Sequence, residues 1–269
     1  MFYAADRTPF HPGATVQHIG IIGVGEIGRA IVDGLSDGVD HPPRIHLSPR
    51  GARAAAELSA RHANVRVCDG NQEVVNRSDL VIIAVRRPDA ADALAGLRVD
   101  ERTVVVSVMA GIALAELRRI LGPDVPLARA IPLPPVRERR CVTVTYPSHP
   151  AVDAFFARLG QALPVADEAA FNVMSALTGT LTTHYSFLAT LATWAAGHGL
   201  DPDEAERYVR GLFGAVGRSL ADESRSLQRL AADHETPNGL NERIRTTWFD
   251  PANAETLTKV LDTVLTDLD

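Results

Sequence analysis

Six short runs, at residues 16–22, 44–47, 65–67, 80–85, 103–108 and 141–146, are rich in β-branched and aliphatic side chains. Several of them, Leu80-Val81-Ile82-Ile83-Ala84-Val85 most plainly, are apolar without interruption. A strand with no polar face has to be covered on both sides, which is the condition of a parallel sheet. Helical patterns at 25–38, 51–62 and 113–121 lie between the runs and can supply that cover. The alternation predicts βαβ units wound on both faces of a parallel sheet. It stops near residue 166. Beyond it, 168–197, 202–220, 222–233, 238–247 and 251–268 read as helices, broken at Gly199, Pro202, Pro237 and Pro251. The expected organisation is an extension at 1–15, an α/β domain at 16–165 and an all-helical domain at 166–269.

Composition narrows the chemistry. Among 27 cationic residues there is a single lysine, Lys259. P-loop, Schiff-base and most lysine-dependent catalysis each need a placed lysine, so these classes are disfavoured. The other cations are arginines, suited to planar pairing with phosphate and carboxylate. A net charge of −6 argues against general nucleic-acid binding. No apolar run approaches the roughly 18 residues of a membrane span, and the opening residues lack the apolar region of a secretory signal. Two cysteines, Cys68 and Cys141, make neither a disulfide framework nor a zinc site, so a reducing cytoplasm is expected.

Gly23-Val24-Gly25-Glu26-Ile27-Gly28 follows the first apolar run and opens the first helical pattern. In that context each glycine has a purpose. Gly23 permits the tight turn, Gly25 lets backbone approach a pyrophosphate, and Gly28 brings helix and strand close. The helix start, with its unpaired N–H groups and dipole, attracts the anion. Val24, Glu26 and Ile27 complete the phosphate-binding turn. About twenty residues on, where an NAD-binding site usually places an acid on the ribose, this chain has Leu47-Ser48-Pro49-Arg50. A hydroxyl and a guanidinium there favour a 2′-phosphate, and hence NADP(H), through Ser48 and Arg50.

With these residues in hand, the chain resembles the pyrroline-5-carboxylate reductase family over roughly residues 16–268. The blocks that carry the likeness are His18-Ile19-Gly20-Ile21-Ile22-Gly23-Val24-Gly25, Asp69-Gly70-Asn71, Leu80 through Pro88, Val106 through Ile112, Arg129 through Val136, and Thr236-Pro237-Asn238-Gly239-Leu240-Asn241. The resemblance implies a Rossmann-type doubly wound sheet followed by an all-helical dimerisation domain, with homodimers interlocked through the helices. It implies that Asn71 contacts the ribose-phosphate side of the coenzyme. It also implies that Ala84, Val85 and Arg86 (the family's "AVKP" strand end), Ala110 and Gly111 (its "AAGI" block) and Pro132 line the coenzyme. The activity implied is NADPH-dependent reduction of a cyclic imine of the proline-biosynthesis type.

The departures fall in the substrate half. Leu133 and Pro134 stand where the family's "MPNTPA" block has Asn and Thr, and Asn241 replaces the Thr that donates to the substrate amine. Reduction of an iminium asks little of the protein: the coenzyme brings the hydride, and the site orients the substrate and keeps its nitrogen protonated. The catalytic candidates are Asn241, Thr236, His184 and Thr180. Thr236, with the N–H groups of Gly239, Leu240 and Asn241, can hold a carboxylate; plain N-capping by Thr236 or Asn238 is the competing role. Asn241 can orient an amine but not protonate it. His184 is the best general-acid candidate, since its ordinary pKa is near ~6.5. Thr180 and Thr183 either line the site or bond back to their own helix. Arg137-Glu138-Arg139-Arg140 reads as a solvated loop, with an acidic-substrate clamp as the lesser reading. Phe155-Phe156 and Trp248-Phe249 read as core or dimer packing. His41, His46 and Asp233-His234-Glu235 lack the ligand spacing of a metal site, and no metal is expected. Two other functions stay open: an NADP-dependent reductase of another small imine or keto substrate, and a non-catalytic NADP-binding homologue. The partners expected are a small-molecule substrate and a second copy of the chain, not nucleic acid or membrane.

Overall fold

A computed structural model describes residues 16–268, so the extension expected at 1–15 lies outside the described residues. The chain divides into two compact units, Met1–Ser175 and Ala176–Asp269.

In the first unit, eight strands form one sheet in the order β3-β2-β1-β4-β5-β6-β7-β8. They are β1 (His18–Ile22), β2 (Arg44–Leu47), β3 (Val65–Val67), β4 (Leu80–Ile83), β5 (Val104–Ser107), β6 (Leu127–Ile131), β7 (Cys141–Tyr146) and β8 (Gly160–Pro164). The first six run parallel. β7 turns antiparallel to β6, and β8 then runs parallel to β7. The expected all-parallel sheet therefore carries a reversed edge. Helices α1 (Glu26–Ser36), α2 (Ala52–Arg61), α3 (Asn71–Asn76), α4 (Ala90–Leu94), α5 (Leu114–Leu121) and α6 (Pro150–Ala157) connect the strands.

Two buried clusters sit on the two faces. One gathers Ile19, Ile21, Ile31, Leu35, Leu47, Leu80, Ile82, Phe155 and Phe156. The other gathers Ile22, Val74, Val81, Ile83, Val105, Leu117 and Leu127. Successive residues of β1 and β4 go to opposite clusters, which is why both strands read as unbroken apolar runs. Phe155 and Phe156 meet edge to face, 4.9 Å apart, inside this core.

β6 and β8 are absent from the sequence expectations. In β6 the obstacle is Arg129, a charge in mid-strand. It is only 4% exposed. Its Nη1 donates to Glu168 (2.7 Å) and Asn172 (3.3 Å), and its guanidinium stacks 4.3 Å from the Phe171 ring centroid. Burial pushes its pKa down, and the Glu168 carboxylate opposes that. All three partners lie on α7 (Glu168–Thr178), so the start of this helix is fastened to the sheet, and the first unit runs on to Ser175.

The run from Arg137 to Arg140 is not a free loop. A short 3-10 turn, Pro134–Glu138, packs so closely on α1 that a methyl at Gly34 would overlap the Val136 carbonyl. Arg139 donates to the Gly34 and Asp37 carbonyls at the end of α1, 2.9 and 3.0 Å away. Arg137 reaches Glu26 (3.2 Å) and Asp33 (3.4 Å) along the same helix.

The second unit is helical: the end of α7, then α8 (Thr180–Gly197), α9 (Pro202–Arg218), α10 (Leu227–Asp233), α11 (Leu240–Trp248) and α12 (Pro251–Thr266). The one helix expected at 168–197 breaks at Gly179, and the one expected at 222–233 begins only at Leu227. There Asp222 takes the Ser224 N–H in a turn and Ser226 caps the helix through the Arg229 N–H. Asp201 and Asp250 cap α9 and α12, each followed by a proline at the first helical position. Phe187 lies 5.6 Å from Phe213 and stacks 5.1 Å from Trp248. Yet the only apolar side chains buried among its described residues are Ala176, Ala205 and Val209. No described helix is long and apolar enough to cross a membrane.

Candidate functional site

The turn after β1 is built around three glycines that are not interchangeable. Gly23 sits at φ +99°, and a methyl there would lie 2.7 Å from the Ala84 carbonyl and 2.8 Å from the Val85 nitrogen. A methyl at Gly28 would lie 2.6 Å from the Gly23 oxygen, so Gly28 sets the closeness of α1 to β1. At Gly25 nothing lies within 4 Å. Two glycines are therefore demanded by the fold; the middle one leaves room.

That room is a cavity of about 440 Å³. Gly25, Glu26 and Ile27 line it from the start of α1, Ala84, Val85, Arg86 and Arg87 from the end of β4, and Val108, Met109 and Ala110 from the end of β5. These are the carboxyl ends of adjacent parallel strands, where open α/β sheets place their ligands. A turn of unhindered backbone at a helix start suits a pyrophosphate, so these residues fit a dinucleotide. Of the expected coenzyme residues, Gly25, Glu26, Ile27, Ala84, Val85, Arg86 and Ala110 come together here. Arg87, Val108 and Met109 were missed, although each lies inside a block already singled out.

The remaining candidates surround this cavity or support it. Gly111, at φ +69°, lies under Arg87, whose Nη1 would be 3.1 Å from a methyl there. Pro132 is buried at the end of β6. Val24 is buried in the core. Asn71 donates from Nδ2 to the Ala93 carbonyl, 2.9 Å away, joining α3 to α4. Ser48 requires a correction. It is fully buried, and its Oγ accepts the Gly23 N–H at 3.0 Å. Its hydroxyl holds the glycine turn from within and does not face a phosphate.

Arg50 stays outside, half exposed, and donates through Nη2 to Asp89 Oδ1 at 2.7 Å. Asp89 also takes Arg86 Nε on its other oxygen at 2.9 Å. The Arg86 hydrogen bond, joined by the Arg50 charge, holds the Asp89 carboxyl below its ordinary pKa. The acid three residues after Arg86 was the available signal for this bridge.

The four catalytic candidates all lie in the second unit. Thr180 Oγ1 donates back to the Leu177 carbonyl at 2.8 Å. His184 is exposed on α8, its ring 5.8 Å from that of Tyr185. Asn241 donates to the His234 carbonyl at 2.8 Å. Thr236 accepts the Gly239 N–H through its own carbonyl at 2.8 Å. Neither Thr236 nor Asn238 caps α11: the cap is Gly239, which makes no side-chain cap. Instead Glu242 reaches back to the Asn238 N–H at 2.5 Å.

Comparison with known proteins agrees with this architecture. Residues 18–111 match the family described as NADP oxidoreductase, coenzyme F420-dependent. A pyrroline-5-carboxylate reductase of Pseudomonas aeruginosa is 29% identical over 242 residues, spanning 85% of this chain and 87% of that protein. Among solved structures, a pyrroline-5-carboxylate reductase from Coxiella burnetii superposes with a TM-score of 0.78 at 20% identity, covering 94% of this chain and 97% of the other. The Plasmodium falciparum pyrroline carboxylate reductase, solved with NADP bound, gives 0.74 at 14% identity, covering 93% and 96%.

Proposed function

Taking the chain as a diverged relative of the pyrroline-5-carboxylate reductases, we propose that it reduces the C=N bond of a cyclic imine with NADPH. The observation that carries this reading is Gly25, which opens onto a cavity rimmed by arginines in a chain that is similar to those reductases along most of its length.

When bound, the coenzyme supplies hydride from its nicotinamide ring. The chain's own work is to hold and to orient. Gly23, Gly25 and Gly28 with the first N–H groups of α1 take the pyrophosphate, and Arg50 and Arg86 take the phosphate on the adenine ribose. Val85, Met109, Ala110 and Pro132 form the apolar surround. A protonated imine is already electrophilic, so the reaction needs no lysine, in keeping with a chain whose single lysine, Lys259, pairs with Glu255 on the surface of α12. His184 is assigned as the proton donor, with Asn241, Thr236 and Thr180 orienting the substrate. The chain works as a homodimer through its helical unit. Tyr185, Trp194, Tyr208, Leu227, Leu240 and Ile244, all exposed, support that assembly. Cys68 and Cys141, buried and unbridged, accord with a reducing cytoplasm.

The test is oxidation of NADPH, followed at its nicotinamide absorbance, on adding 1-pyrroline-5-carboxylate and a panel of related cyclic imino acids. Turnover of 1-pyrroline-5-carboxylate would make L-proline the product; turnover of another imine alone would move the substrate assignment. Leu133 and Pro134, apolar where the block they resemble is polar, favour one second reading, an NADP-binding protein without turnover. It would show NADPH binding and no oxidation with any imine or ketone.

A further inference from the structure

We propose that Asp89 is a positioning residue for coenzyme selection, its carboxylate holding Arg50 and Arg86 as one clamp for a phosphate on the 2′-carbon of the adenine ribose. This rests on the NADPH reading above. The two arginines come from different loops, Arg50 after β2 and Arg86 after β4, on either side of β1 in the sheet. Asp89 closes the 3-10 turn Arg87–Asp89 and takes one guanidinium on each oxygen, at 2.7 and 2.9 Å.

Glu73, 22% exposed, likewise holds two arginines, Arg66 and Arg77; what sets the Asp89 cluster apart is its place at the cavity, which Arg86 lines. Asp89 is tucked in at 19% exposed, while Arg50 and Arg86 stand out at 52% and 83%. Each arginine spends one nitrogen on Asp89 and has others left to donate, since a guanidinium carries five N–H bonds. The cluster keeps a net positive charge, which suits a phosphate dianion.

Without the bridge, two like charges on separate flexible stems would repel, and each would have to be ordered as the ligand arrives. With it, the ordering is done beforehand. Arg86 also lines the cavity beside Gly25, so the clamp joins the end of β2 to the pyrophosphate turn. Arg87 points elsewhere, over Gly111, so the two consecutive arginines have separate tasks.

The experiment is calorimetric titration of the full chain with 2′,5′-ADP and with 5′-AMP, for the wild type, Asp89→Asn and Asp89→Ala. For both variants the Kd for 2′,5′-ADP is expected to rise about tenfold, a step of ~1.4 kcal/mol, while 5′-AMP, which differs only in lacking the 2′-phosphate, shifts less than about twofold. The preference for NADPH over NADH falls by a like factor. Equal weakening of both nucleotides would mean that Asp89 only stiffens the loop, and it would overturn the proposal. So would unchanged or tighter 2′,5′-ADP binding, the latter showing that the acid competes with the phosphate. A wild type that does not distinguish the two nucleotides would instead remove the NADPH reading itself.

Discussion

The two units solve the burial of apolar surface in opposite ways. In the first, every continuous apolar run ends inside one of two clusters, and Phe155, Phe156, Ile21 and Ile82 are almost wholly removed from water. In the second, the helices leave Trp194 at 65% exposed and Leu240 at 75%. Capping and local hydrogen bonds suffice to define a helix, but not to cover its apolar stripe. The first unit thus carries its own core and a cavity at the carboxyl ends of its strands. The second leaves the apolar sides of its helices exposed and holds Asn241, one of the departures from the resembled motifs, while the other two, Leu133 and Pro134, lie in the first.

Several perturbations sharpen that contrast, and the most severe acts on the first unit. Gly23→Ala adds strain at a left-handed φ to an overlap with the Ala84 backbone. It is expected to cost more than about 3 kcal/mol in urea unfolding and to abolish NADPH binding. Mild loss with binding retained would mean that the turn can relax, and that the first unit is less rigidly packed than argued.

Acid provides the next test. His46 is buried on β2, both ring nitrogens lack hydrogen-bond partners, and its ring stacks on His18 at 5.9 Å. Burial first, then the His18, Arg77 and Arg66 charges, lower its pKa to about 4. The unfolded chain takes this proton near ~6.5, so stability is full above that pH and is lost as pH falls from there toward 4. The loss is at most on the order of 3 kcal/mol. His46→Leu should flatten that limb. Both tryptophans, Trp194 and Trp248, report on the second unit, so amide exchange in β1 and β2 is the measurement for the first. Exchange in the helical unit rising first on acidification would reverse the expected order.

A smaller effect is expected on assembly. Trp194→Ala should weaken self-association by about 2 kcal/mol, roughly thirtyfold in the dimer Kd by sedimentation. NADPH affinity should not follow. If association is unchanged, Trp194 is not at the interface proposed for the helical unit. Smallest in energy is Arg50→Ala, expected to weaken NADPH by about tenfold or more while NADH changes little. Equal loss of both coenzymes would place the 2′-phosphate elsewhere.

The fold class was legible because apolar runs and helical periods are local properties. β6 was not, since the charge of Arg129 is acceptable in a central strand only when Glu168, Asn172 and Phe171 arrive from a helix some forty residues later. The glycine turn was legible at the site, yet the reason for Ser48 was not: its partner, the Gly23 N–H, is 25 residues away. The charge run from Arg137 looked solvated because nothing nearby in the chain pairs with it; α1, about a hundred residues earlier, does.

What the sequence determined by itself is the winding of a sheet from apolar runs, the glycine turn at its first bend, and the presence of a single lysine. Each follows from spacing and residue type along a few consecutive positions. Tertiary structure decided which polar groups face inward, which arginines are fastened to helices, and which two converge on Asp89. Those outcomes depend on electrostatic and hydrogen-bond partners that only the folded sheet brings within about 3 Å.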